Sequence, residues 1–155
     1  MDASILNPFL SSCKDAFSQM FGILPQNKDP YLLNPVSTHP WEISGIVGVS
    51  GDAVGIVAFR LHRILARKML EISGITIDSP EERESMERDL VTEFTNVITG
   101  NAVSAIVSRN ITVSSPIVIV GANHVISWLK NTHIIGVPFS TRHGMFEVDL
   151  CFKGM

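Results

Sequence analysis

Residues 79–109 carry polar side chains at a spacing that would bring them together on one surface. Asp89, Glu93, Asn96 and Gly100 follow one another at intervals of four, three and four residues, which places them on one flank of an α-helix. That flank would present two carboxylates and a carboxamide, which both donates and accepts hydrogen bonds. Glycine costs about 1 kcal/mol in a helix relative to alanine, so we interpret Gly100 as room for the close approach of a partner.

The surrounding pattern predicts the helix that would carry these residues. Ser79 suits the N-cap, Pro80 the first helical position, and Glu82 completes a capping box. Apolar residues continue beyond Gly100, so we expect the helix to pass this glycine and to stop at Asn110 rather than at a Gly100 C-cap. The predicted core face consists of Leu90, Val91, Phe94, Val97, Ile98, Ala102 and Ala105.

The polar flank resembles the active helix of the chemotaxis phosphatases of the CheC, CheX and FliY group. In that group an acid or serine, a glutamate and an asparagine follow the spacing of Asp89, Glu93 and Asn96, and a proline comes later, here Pro116. One Glu/Asn pair on one long helix makes the CheX branch the closer match. A solvated helix flank without any role in catalysis is the alternative interpretation.

The resemblance implies a phosphatase that acts on the phospho-aspartate of a CheY-like response regulator without a covalent intermediate. Glu93 and Asn96 would be catalytic, with Asn96 positioning the hydrolytic water, while Asp89, Gly100 and Pro116 would bind the partner. It further implies no cofactor or metal of the chain's own, Mg²⁺ on the partner, and a homodimer. The alternative function is a non-enzymatic adaptor or dimerisation module of the same fold in chemotaxis or two-component signalling.

Composition predicts a globular protein with one domain over residues 1–155. The chain is 45% apolar and 17% charged, which suits a real hydrophobic core. Its net charge of −3 and the lack of a basic run argue against nucleic acid as a partner. No apolar run reaches the ~18 residues of a membrane span and the first residues lack a signal pattern, so we expect a cytoplasmic location.

The cysteines and histidines indicate neither a disulfide nor a metal site. Cys13 and Cys151 lie far apart in apolar surroundings, which predicts two reduced core residues. The five histidines are scattered, with no pair at the spacing of metal ligands.

The remaining patterns predict an α+β fold, with helices on one side of a largely antiparallel sheet and one long central helix. A first helix is predicted over residues 1–22, a proline-rich connection over 23–40, and a short helix over 62–73. Tight turns predict one hairpin within residues 41–61 and another within 133–153.

Between the long helix and the last hairpin, residues 111–121 predict a strand that is interrupted at Ser115 and Pro116. Proline cannot donate to a strand ladder, so we expect a bulge or a sheet edge there. Residues 121–132 are predicted as an irregular excursion, with some strand or one-turn helical character as the alternative, and Trp128 is predicted to serve packing.

Side-chain placements follow from the same periodicities. Alternation along residues 145–153 predicts one buried face that begins at Phe146. The connection 23–40 is expected to contact the core through Tyr31, Leu32 and Leu33. The predicted buried side of the short helix is Ile64, Leu65, Met69, Leu70 and Ile72. The basic residues predicted to face solvent are Arg60, Arg63, Arg67 and Lys68.

Overall fold

Three helices and an antiparallel sheet make up the part of the chain that the computed structural model describes, residues 3–35, 40–107 and 109–153. The helices are α1 (Ala3–Phe21), α2 (Arg63–Ile72) and α3 (Pro80–Ala105). The strands are β1 (Gln26–Asn27), β2 (Tyr31–Leu32), β3 (Ile43–Gly51), β4 (Val54–Leu61), β5 (Ile111–Val113), β6 (Ile117–Val120), β7 (Ile134–Thr141) and β8 (Gly144–Lys153).

The sheet confirms the predicted α+β class. Its strands follow the order β1, β7, β8, β4, β3, β5, while β2 also pairs with β7 and β6 with β3. All of these described pairings are antiparallel. Both predicted hairpins are present, as β3–β4 and β7–β8. The connection 23–40 supplies the short edge strands β1 and β2, and its residues 36–39 lie outside the described residues.

The predicted interruption at Ser115 and Pro116 is a bulge on an edge of the sheet. Val113 pairs with Val49 and Ile117 pairs with Ile46, so residues 114–116 oppose only residues 47–48. After β6, residues 121–133 form neither helix nor strand, as predicted.

Aromatic side chains join the helices to the sheet. Phe17 of α1 stacks on Phe146 of β8 with ring centroids 4.4 Å apart. Phe94 of α3 lies 4.7 Å from Phe17 and 4.8 Å from Phe59 of β4, measured between ring centroids. All four rings are buried, so α3 is packed on α1 and β4, and α1 is in turn packed on β8.

The N-terminus of α3 has the predicted cap. Ser79 Oγ accepts a hydrogen bond from the Glu82 backbone N–H at 3.1 Å, and Glu82 Oε2 accepts one from the Asp78 N–H at 3.2 Å. Pro80 occupies the first turn. These contacts fix where the helix begins.

The C-terminus of α3 comes earlier than predicted. The helix passes Gly100, as expected, but it ends at Ala105 rather than near Asn110. Ile106 leaves helical geometry with φ −90° and ψ 78° and buries its own side chain, which turns the chain back towards β5. Ala105 is exposed, contrary to its predicted place on the core face.

α1 and α2 end at glycines, as predicted. Gly22 and Gly74 follow the two helices with left-handed φ angles of +64° and +76°, which L-residues with side chains rarely adopt. The predicted buried side of α2 is wrong for Ile64 and Ile72, which are 69% and 38% exposed. The buried face is instead the narrow strip Leu65, Ala66, Met69 and Leu70.

The face of the sheet opposite the helices is also buried, contrary to the prediction of one buried face for β8. Asp149 is fully buried, and so is Arg60, which was predicted to face solvent. Arg60 Nη1 donates to Asp149 Oδ2 at 3.3 Å and its Nε donates to Ser44 Oγ at 3.0 Å. Ser44 Oγ lies 2.6 Å from Nε2 of His124, so the segment 121–133 folds back over this face.

A second contact on this face comes from the edge strand β2. The Tyr31 hydroxyl lies 2.8 Å and 2.9 Å from the two oxygens of the buried Glu147 carboxylate. Its ring lies over Gly136, where a Cβ would be 2.7 Å from the Tyr31 ring. Tyr31 therefore contacts the covered face of the sheet and not the core beneath the helices, and the predicted core contact is wrong for Leu32, which is 65% exposed.

The two cysteines are buried and free, in agreement with the prediction. Cys13 lies on α1 with its side chain in the hydrophobic core, and Cys151 lies on β8. Burial raises the pKa of both thiols, so they stay protonated at neutral pH.

Candidate active site

The residues Asp89, Glu93, Asn96 and Gly100, here called the polar stripe, lie together on the outer flank of α3. All four are exposed. At about 100° per residue they fall within a sector of roughly 60°, on the far side of the helix from its core. The buried residues that define that core side are Glu87, Leu90, Val91, Phe94, Thr95, Ile98, Thr99 and Ala102.

The side chains of the polar stripe are free to meet a partner. Within the described residues, the side chains of Asp89, Glu93 and Asn96 make no hydrogen bond or ion pair. A Cβ on Gly100 would meet no atom of the described residues within 4 Å, so none of them requires glycine there. The stripe is therefore an open polar surface on a rigid support.

Two buried threonines donate hydrogen bonds from their hydroxyls to the backbone of α3 around Asn96. Thr95 Oγ1 donates to the Val91 carbonyl at 2.6 Å, and Thr99 Oγ1 donates to the Thr95 carbonyl at 2.7 Å. Thr99 Oγ1 also lies 3.3 Å from the Asn96 carbonyl oxygen. Sequence reasoning missed this support, although threonines at positions i and i+4 beside an asparagine were a visible signal.

Pro116 lies on the sheet edge next to α3. It is half-buried in the bulge between β5 and β6. Arg88, the residue just before the stripe, donates through Nη1 to the Val118 carbonyl of β6 at 3.0 Å, and the chain leaving α3 runs into β5. The bulge therefore lies between two strands that both contact α3.

Glu87 belongs to a different part of α3. Its side chain is 2% exposed and lies 3.9 Å from Arg63 Nε and 3.7 Å from Arg67 Nε. Burial raises the pKa of Glu87, although Arg63 and Arg67 act in the opposite direction. These contacts join α2 to α3 and leave the polar stripe unaffected.

A metal site and a membrane-spanning helix find no support in residues 3–35, 40–107 and 109–153. No group of three His, Cys, Asp or Glu side chains there is placed to hold a metal ion. Among the helices of those residues, none combines the length and apolarity needed to cross a bilayer.

Comparisons with solved structures agree with this fold. The chemotaxis protein CheX from Desulfovibrio desulfuricans is 29% identical, with a TM-score of 0.86 over 96% of this chain and 99% of that one. A CheC-like superfamily protein from Shewanella sp. PV-4 is 26% identical, with a TM-score of 0.87 over 99% and 100%. CheX from Borrelia burgdorferi, solved as a complex with CheY, BeF₃ and Mg²⁺, shares the fold at 24% identity, with a TM-score of 0.80 over 96% and 97%.

The sequence itself gives a family assignment. No curated protein matches it significantly. The family model described as chemotaxis phosphatase CheX matches residues 43–140, a span that includes the polar stripe and Pro116. Because this match covers more than half of the chain, the protein belongs to the CheX family of chemotaxis phosphatases.

Proposed function

We propose that this protein removes the phosphoryl group from the phospho-aspartate of a CheY-like response regulator. The observation that carries the proposal is the polar stripe, in which Glu93 and Asn96 lie one turn apart, exposed and without a partner among the residues that the structure describes. Family membership supports the reaction class. The B. burgdorferi CheX was solved with CheY bound, which supports a receiver domain as the partner.

The reaction needs little more than a well-placed water. Hydrolysis joins a water oxygen to phosphorus and breaks the bond between phosphorus and the aspartyl oxygen, which leaves as a carboxylate. This anhydride is already reactive, so alignment of the water can supply much of the acceleration and no covalent intermediate is needed. The Asn96 carboxamide oxygen accepts a hydrogen bond from the water, while its N–H donates to a phosphoryl oxygen.

The other predicted site residues act in docking and alignment. Glu93, one turn before Asn96, pairs with a basic group of the receiver domain and sets the angle of approach. Asp89 adds a second charged contact, Gly100 lets the receiver backbone come close, and Pro116 is the contact on the sheet edge. Mg²⁺ belongs to the receiver domain in this proposal. The homodimer and the cytoplasmic location remain predictions.

The test is the rate of phosphate loss from phosphorylated receiver domains of the same organism. Asn96→Ala should lower kcat by about 10²-fold or more, because the alignment of the water is lost. Asn101→Ala is the matched control, since Asn101 is exposed on α3 but lies off the stripe. Unfolding in urea should show that both variants keep the stability of the wild type or exceed it.

Two outcomes would contradict the proposal. Normal turnover by Asn96→Ala would remove the catalytic assignment of this residue. Tight binding of the wild-type protein to a phosphorylated receiver without faster phosphate loss would favour the non-enzymatic adaptor instead.

A further inference from the structure

Gly45 of β3 faces the buried side of α3, along the part of the helix whose outer side carries the polar stripe. A Cβ at this position would overlap Thr95 Oγ1 and would lie 3.0 Å from Val91 Cγ1 and 3.2 Å from Thr95 Cβ. Thr95 is 1% exposed, and its hydroxyl is held by the Val91 carbonyl, so it has little freedom to turn away. A side chain at position 45 therefore forces a shift at this contact, and because Thr95 is buried and hydrogen-bonded we expect α3 to move away from the sheet at Thr95, the neighbour of Asn96.

Gly45 is also paired with the strand next to Pro116, the predicted partner-binding residue on the sheet edge. Gly45 pairs with Val118 of β6, two residues after Pro116. Val118 also accepts the hydrogen bond from Arg88 of α3. The contact between Gly45 and Thr95 thus sets the distance of Thr95, the neighbour of Asn96, from β3 and from β6, the strand that follows Pro116.

We propose that Gly45 and Thr95 are positioning residues, which set the distance between Asn96 on α3 and Pro116 on the sheet edge. The catalytic consequence depends on the proposed phosphatase function, since a receiver domain that docks on both elements would present its phosphoryl group to Asn96 in one geometry only. Relief of the overlap requires α3 to move by on the order of 1 Å. A misplacement of that size can cost about 10²-fold in rate.

The experiment compares two glycines of the same strand. Gly45→Ala should lower kcat for the phosphorylated receiver by about 10²-fold, with a much smaller change in KM. Gly48→Ala is the matched control, because a Cβ there would meet only Ser114 Oγ, at an ordinary 3.6 Å. This control should keep wild-type turnover. Rates are taken per folded molecule, well below the melting temperature.

A second substitution should restore the geometry. Gly45→Ala combined with Thr95→Ala removes the overlapping hydroxyl and leaves contacts that need to give by only a few tenths of an ångström, so most of kcat should return. Gly45→Ala with Thr95→Ser should be intermediate. If Gly45→Ala alone does not fold, the test is the comparison of the two double variants, in which kcat should be higher with Thr95→Ala than with Thr95→Ser. Equal kcat values for them would overturn the proposal.

A structural measurement separates this inference from the proposed function. Crystal structures should show residues 91–96 of the Gly45→Ala variant displaced from β3 and β6 by on the order of 1 Å, and no displacement in Gly48→Ala. An unmoved helix would overturn the positioning role whatever the activity. Inactivity of the wild-type protein towards every receiver domain would overturn the proposed function, and the displacement would still decide the role of Gly45 and Thr95 in positioning Asn96.

Discussion

The residues of the polar stripe are not explained by the needs of the fold. Asn96 and Gly100 are weak helix formers in the middle of a long helix, yet neither is buried. An exposed position without partners among the described residues adds little to stability, so the fold itself gives no reason for these two residue types. The identity of Thr95, the residue before Asn96, is explained by packing inside the protein, since its side chain fills the space next to Gly45.

Gly100→Ala should separate stability from activity. The change adds a methyl group where no atom lies within 4 Å, so the free energy of unfolding should rise by about 0.5–1 kcal/mol. Turnover of the phosphorylated receiver should fall, because the methyl group occupies the space that the partner would enter. Urea titration and phosphate release measure the two effects. Full activity in the stabilised variant would show that Gly100 is not a contact residue.

At the scale of secondary structure, α3 is a rod fixed at several points. Its N-terminus is capped by Ser79, its middle lies on Gly45, and Arg88 joins it to β6. A helix held in this way can present a flank without moving when a partner docks. Stability and catalysis should then respond separately to changes at different points along it.

Ser79→Ala should cost about 1 kcal/mol of stability, because the Glu82 N–H loses its acceptor at the start of α3. Ser79→Asp keeps an acceptor at the cap and should stay near the wild-type stability. Neither change should alter kcat at a temperature where both variants are folded, since the cap lies nearly five helical turns from Asn96. A large loss of kcat in folded Ser79→Ala would indicate that the helix transmits changes along its axis.

Features with local causes could be predicted from the sequence. The capping box, the glycine ends of α1 and α2, the hairpins and the bulge at Pro116 each depend on a few neighbouring residues. Arg60 could not be placed in this way, because its burial depends on Asp149 and on a segment after β6 that covers the second face of the sheet. The polar stripe was predicted from helical spacing, whereas its support by Gly45 is a contact between distant parts of the chain.

At the scale of the whole molecule, charged groups are enclosed on the sheet face opposite the helices. Burial, followed by the hydrogen bond and charge of Glu147, holds the pKa of Asp149 well above its usual range, and Arg60 opposes this only in part. Burial and Glu147 likewise raise the pKa of Tyr31. The carboxyl groups of Asp149 and Glu147 therefore both interact with the guanidinium of Arg60, and the folded state favours a proton on Asp149.

This arrangement predicts that stability falls as the pH rises. An unfolded aspartate has a pKa of about 4, so above that pH the folded chain holds more protons than the unfolded chain until the raised pKa of Asp149 is passed. The free energy of unfolding, measured in urea between pH 5 and pH 9, should therefore decline in the wild type and decline less in Asp149→Asn. Asp15→Asn, at an exposed site on α1, should keep the wild-type slope. Equal slopes in all three proteins would refute the assignment.

The position of β8 has a consequence for how the chain is made. This strand is the last one described along the sequence, yet it lies between β7 and β4 in the middle of the sheet. A nascent chain that has left the ribosome only as far as residue 141 lacks the strand that joins its two halves, and Phe17 lacks the ring on which it stacks. Folding of the sheet can therefore be completed only after β8 has been synthesised. Until then the growing chain exposes unpaired strand edges, a kind of surface that is prone to aggregate.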